Sequence, residues 1–295
     1  MLPVLYRSAV DIYLDNPAGR LYIVLNSMRN YPNPGSGLEE ALPVVFTVAP
    51  ELHLVARAIG EVYQLPSQAV AEVQQLTTGQ APDRLLRWAP NVNKALASML
   101  YHRTSPPLQI GTIASQYDDA DMISLDFCSE ALHLAKPGLQ LKIAQLQDIE
   151  AKLTDLRVTL EDDSDLDLEL RSMLLDNVNE MIWACRSYHR TGTAGVRHAV
   201  NQTVGAVVNN WNLTVRQDTS PGTWAKFTVI LGTVTAVVGF GTAVATALEA
   251  PPPSSDPIVR LVVPGPKNLA TPAQMAAPAQ TAIPAPGLSA EGSGK

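Results

Sequence analysis

The chain has 295 residues, is 46% hydrophobic with 5% aromatic residues, and carries a formal net charge of −7. That composition supports a sizeable core built from Leu, Val, Ile and Ala rather than from rings, which suits helix packing on helix. The negative balance argues against nucleic acid as a partner, because phosphate binding needs a basic face.

The first residues, Met1-Leu2-Pro3-Val4-Leu5, have no basic lead-in, and Arg7, Asp11 and Asp15 interrupt the apolar positions that follow. This is not a signal-peptide pattern, so the N-terminal region is expected to remain cytoplasmic. Residues 1–138 read as short helices separated by prolines. Leu2, Leu5, Tyr6, Ala9, Val10 and Tyr13 share one helical face, and Leu21, Val24, Leu25 and Met28 repeat that spacing. Tyr31-Pro-Asn-Pro-Gly-Ser-Gly37 is a loop. The stretch 42–49 fits a short strand as well as a helix. Pro50 opens a helix to about Gln64, Ser67 caps another ending near Leu76, and further helices are expected over 91–102 and 119–135.

Residues 139–226 form a second region. Leu146, Ile149, Leu153, Leu156 and Leu160 recur at spacings of three and four, a coiled-coil-like seam within a helix over 139–163. Ser164 and Asp167 make a capping box for a helix that runs to about Tyr188, and the two helices are expected to form an antiparallel hairpin. Thr191-Gly-Thr193 breaks the chain, and a third amphipathic helix follows over 194–211. No acidic residue lies between Glu180 and Asp218. Arg190, Arg197 and His198 flank the Thr191–Gly195 turn and are candidate contacts for an anion or a lipid headgroup.

Residues 227–248 contain no charge and no proline over 22 positions. A helix of that length spans about 33 Å, enough for a hydrocarbon core of about 30 Å. Trp224 and Lys226 stand where interfacial anchors belong, and the prolines at 251–253 stop the helix beyond Glu249. The reading is a single transmembrane helix in a cell membrane, with Lys226 and the arginines upstream placing the N-terminal region on the cytoplasmic side. Thr235, Gly239, Ala243 and Ala247, each four apart, offer a small-residue face for self-association within lipid. Residues 249–295 hold ten of the 23 prolines and no aromatic residue. They read as a disordered Pro/Ala-rich tail.

No catalytic, metal or cofactor constellation emerges. Asp163, Asp165, Asp167 and Glu169 alternate, but a calcium loop needs Gly and Glu where Leu168 and Leu174 stand. Glu130-x-x-His133 is half of a di-iron motif without its second half. Residues 52–76 resemble a helix-turn-helix in outline but lack basic exposure. Cys128 and Cys185 read as buried thiols. The expected class is therefore mainly α: a multi-helix region with a hairpin, one membrane span and a tail. Arginine-rich, lysine-poor usage with abundant Ala, Val and Pro suits a bacterial source. The expected role is a non-enzymatic, membrane-anchored interaction or scaffold protein, its partners lipid and an unidentified protein. Two alternatives stand beside it: a pore or leak effector of the kind used in bacterial antiphage defence, and an enzyme with a site dispersed over 1–138.

Overall fold

The computed structural model describes residues 13–76, 82–100, 108–210 and 220–239. The chain parts into two compact units, Met1–Pro252 and Pro253–Lys295, and every described residue belongs to the first. Both the expected helix before Tyr13 and the expected disordered tail therefore lie outside the described residues. Among the described residues the structure is helical, with one isolated β-bridge between Gly37 and Gln109.

Helix α1 (Pro17–Arg29) starts at Asn16, whose side-chain oxygen accepts the Gly19 amide at 2.9 Å. Pro17 follows at the first helical position, where no amide is needed. Its face of Leu21, Val24, Leu25 and Met28 is buried. Helix α2 (Leu38–Phe46) settles the open stretch as helix up to Phe46. Leu38, Ala41, Leu42, Val45 and Phe46 are all buried, a spacing that a strand cannot put on one side. It ends on Thr47 in the left-handed region, φ 55°.

Helix α3 (Leu52–Gln74) corrects the expected break at Leu65-Pro66-Ser67. It runs 23 residues straight through Pro66. Ala58, Val62, Leu65, Ala69 and Val73 stay on one buried face across the proline. Continuous burial thus outweighs the hydrogen bond that proline removes. Ser67 is not an N-cap; its hydroxyl donates to the Gln64 carbonyl at 2.8 Å. Short helices α4 (Pro82–Leu85), α5 (Ala89–Leu100) and α6 (Ile110–Ala114) lead to α7 (Asp119–Ala135). A reciprocal capping box starts α7: Asp118 accepts the Asp121 amide at 2.9 Å and Asp121 accepts the Asp118 amide at 3.0 Å. These seven helices enclose a first core around Leu21, Leu25, Phe46, Leu65 and the fully buried Trp88. The Tyr117 hydroxyl ties it by donating to the Leu25 carbonyl at 2.8 Å.

A second core begins at Leu141. Helices α8 (Ile143–Asp162) and α9 (Leu168–Arg186) pack on each other across the 163–167 turn as a helical hairpin. The seam Leu146, Ile149, Leu153, Leu156 and Leu160 is buried against Leu170, Leu174, Val178 and Met181. Each such leucine contributes about 1.5–3 kcal/mol by leaving water. The cap differs from expectation. Asp167, not Ser164, accepts the Glu169 and Leu170 amides, while Asp163 accepts those of Asp165 and Leu166. Helix α10 (Tyr188–Asn209) carries the expected break as one kinked residue, Gly192, at φ 63° and ψ −165°. An added Cβ there would meet the Arg20 guanidinium at 2.6 Å, so glycine is required twice over.

The last described helix, α11 (Pro221–Val237), corrects the expected uninterrupted span over 227–248. It begins six residues earlier, ends at Val237, and is followed by Gly239 at φ 78°. Phe227, Leu231, Val234 and Val238 are buried in the second core, against α8 and α10. Among the described residues, no helix is long and apolar enough to cross a membrane. Residues 240–248 lie outside the described residues.

Candidate functional site

Where the two cores meet, three helices bring charge together beside the end of α2. Arg57 and Glu61 sit one turn apart on α3, Glu180 and Trp183 on α9, and His189 and Arg190 at the start of α10. Arg190 is 1% exposed. Its Nε donates to Glu61 at 2.8 Å, and its Nη1 donates to the Phe46 carbonyl at the end of α2. The same Nη1 lies 3.1 Å from His189 Nε2. The other Glu61 oxygen accepts the Trp183 indole N–H at 2.7 Å. Arg57 grips Glu180 with two hydrogen bonds of 2.8 and 2.6 Å, and its guanidinium lies 4.5 Å above the Trp183 ring.

The electrostatics follow from burial. Desolvation, then the Arg190 charge, push the His189 imidazole down to about 3, so it is neutral and its Nε2 can accept from Arg190. The hydrogen bond from Arg57 holds Glu180 below the usual carboxylate range. Burial lowers the Arg190 guanidinium pKa, opposed by Glu61. A cation this enclosed, bonded through Nε and Nη1 with its Nη2 left without a hydrogen-bond partner among the described residues, joins helices rather than facing solvent. Arg190, which the sequence offered as an anion contact, is enclosed between helices. Arg197 and His198 remain on the exposed side of α10, and Arg197 Nε donates to the Val238 carbonyl at 3.0 Å. Arg190 and Arg197 thus serve different junctions. The Glu61–Arg190 pair spans 129 positions, and no local spacing announces it.

The residues expected to meet lipid are placed as follows. Trp224 is half-buried and stacks on Phe227 with ring centroids 5.5 Å apart. Lys226 reaches α8 and donates to the Thr159 hydroxyl at 2.7 Å. Thr235 is buried and donates to the Gly232 carbonyl at 2.8 Å, and Gly239 lies at the helix end. Ala243 and Ala247 fall outside the described residues. Asp163 clasps the start of α11, accepting from the hydroxyls of Ser220 and Thr223, the latter at 2.6 Å. The Ser220 bond, then that of Thr223, lower the Asp163 pKa.

Elsewhere, His133 pairs through Nδ1 with the buried Asp15 carboxylate at 2.6 Å and stacks on Tyr13, rather than joining Glu130 in a metal motif. Among the described residues, no three His, Cys, Asp or Glu side chains converge to hold a metal ion. The thiols of Cys128 and Cys185 are pushed by burial to about 11 and about 12, which leaves them protonated and unreactive at neutral pH. A cavity of about 370 Å³ lies between α1 and α7, lined by Tyr22, Asn26, Arg29, Asp119, Met122, Ile123 and Asp126. Arg29 and Asp119 pair across it at 2.6 Å. Comparison with protein-family models, with curated proteins and with solved structures finds no match to this chain.

Proposed function

We propose that this is a helical interaction protein with no chemistry of its own, held at a membrane by the apolar segment that begins in α11. One observation carries the reading: α11 is apolar beyond the face it packs. Its inner side fills the second core, yet Val229 on the outer side is 68% exposed, and no charged residue follows Lys226 until Glu249. An uncharged helix surface of Val229, Thr228, Thr233 and Ala236 beside the packed face can be met by lipid or by another helix. Under this reading the N-terminal helices face the cytoplasm and present surfaces to a protein partner.

Flotation on liposomes tests it. The full chain is expected to rise with the vesicles, and a chain ending at Val238 to stay behind. A full chain that remains with the truncated one in the dense fraction would overturn the membrane assignment. The packing of Phe227–Val238 on α8 and α10 also favours a second reading, in which the apolar segment is stored and released to perturb the bilayer. Leakage of a dye trapped in the same vesicles separates the two: an anchor leaves the dye inside, and an effector lets it out.

A further inference from the structure

One face of helix α7 is left uncovered by the described residues. Ile123, Phe127 and Leu134 are 57%, 60% and 72% exposed. At 100° per residue they form a narrow apolar row. Asp119, Asp126 and Glu130 fall on the adjoining row, next to the cavity between α1 and α7. Asp119 is neutralised by Arg29. Asp126 and Glu130 have no ion pair among the described residues, and burial followed by the nearby Glu130 raises the Asp126 pKa. The strip thus combines three large apolar side chains, the adjoining cavity, and an acidic edge without ion pairs among the described residues at Asp126 and Glu130.

We infer that this face of α7 docks an amphipathic helix of another protein, one whose apolar residues are bordered by Lys or Arg. The inference rests on the interaction reading of the protein and is independent of lipid. Charge decides the occupant. Pairing two copies of this face about a two-fold axis lays acidic row on acidic row if the helices run antiparallel. If they run parallel, each acidic row lies on the partner's apolar row. Both arrangements are unfavourable, whereas a basic helix meets the acids with cations while its apolar residues cover Ile123, Phe127 and Leu134. A cation pair at i and i+4 matches the spacing of Asp126 and Glu130.

The test titrates the full chain, in lipid-free buffer, into a labelled amphipathic Leu/Lys helical peptide about 18 residues long, enough to cover the strip. A second peptide has every Lys replaced by Glu, and binding is read by fluorescence anisotropy. The full chain is expected to prefer the Lys peptide. The double variant Ile123→Ala with Phe127→Ala should weaken that binding roughly ten-fold, the scale of losing apolar anchors. The double variant Asp126→Lys with Glu130→Lys should reverse the preference toward the Glu peptide. All four positions are partly or fully exposed, and circular dichroism checks that the variants keep their helices. Equal binding of both peptides, or Lys-peptide binding untouched by either double variant, overturns the proposal. So does a wild-type dimer in sedimentation that Phe127→Glu dissolves. Failure of flotation with this binding intact would remove the membrane reading alone.

Discussion

Glu61 serves two donors at once, the Trp183 indole at 2.7 Å and the Arg190 guanidinium at 2.8 Å. Removing its carboxylate leaves the Arg190 cation enclosed with a single carbonyl and a neutral imidazole as acceptors. Glu61→Ala is therefore expected to cost about 3–5 kcal/mol, as broken buried pairs do. Combining Glu61→Leu with Arg190→Met should recover most of that loss, because both charges then disappear together. Urea midpoints check both, and a Glu61→Ala variant within about 1 kcal/mol of wild type would refute the buried-pair account. His189 adds a pH signature. The unfolded chain takes up a proton there as pH falls through about 6.5, while the folded chain refuses it until about 3. Stability from this residue is whole above the upper value and drains between the two, at up to about 1.4 kcal/mol per pH unit. His189→Gln keeps an acceptor and removes the titration, so its unfolding midpoint should fall less steeply on acidification than that of wild type. Parallel declines would show that His189 is protonated in the fold.

Which elements were legible from sequence depends on how local their causes are. Helix α7 and the α8–α9 hairpin were, since their apolar rows lie within a few residues of one another. The helix α3 was not: its passage through Pro66 is imposed by core contacts of Leu65 and Ala69, which no turn signal encodes. The cap of α9 was misplaced by three residues because Ser164 and Asp167 both satisfy the local pattern. The structure gives the role to Asp167, since the Asp163 turn intervenes. These two residues now make opposite predictions. Asp167→Ala should cost about 1 kcal/mol, the worth of a typical N-cap, and Ser164→Ala almost nothing. Thermal melts of the pair check it, and the reverse ranking would restore the Ser164 cap. The charge cluster was the least legible feature. Arg190 stood out only as one of several arginines near a glycine turn, and its carboxylate partner lies in the other half of the protein.

At the scale of the molecule, composition reads residues 227–248 as one continuous helix, because apolar transfer does not distinguish lipid from a protein interior. The structure uses the first half of that run as a wall of the second core and stops the helix with Gly239 at φ 78°. Glycine is therefore the pivot between two possible courses of the chain. In the left-handed region a Cβ at Gly239 costs about 1 kcal/mol. In a continuous helix the same Cβ gains about 1 kcal/mol over glycine. Both effects push Gly239→Ala away from the packed ending and toward a helix that runs on into the apolar remainder. The melting temperature of the variant should fall, because an L side chain is strained at φ 78°. If the membrane-associated form is that longer helix, partition into liposomes should rise by roughly thirty-fold, the equivalent of the combined shift of about 2 kcal/mol. Flotation and melting are measured on the same preparation. A lower melting temperature without greater flotation would mean that the chain meets lipid, if it does, with α11 still docked on α8.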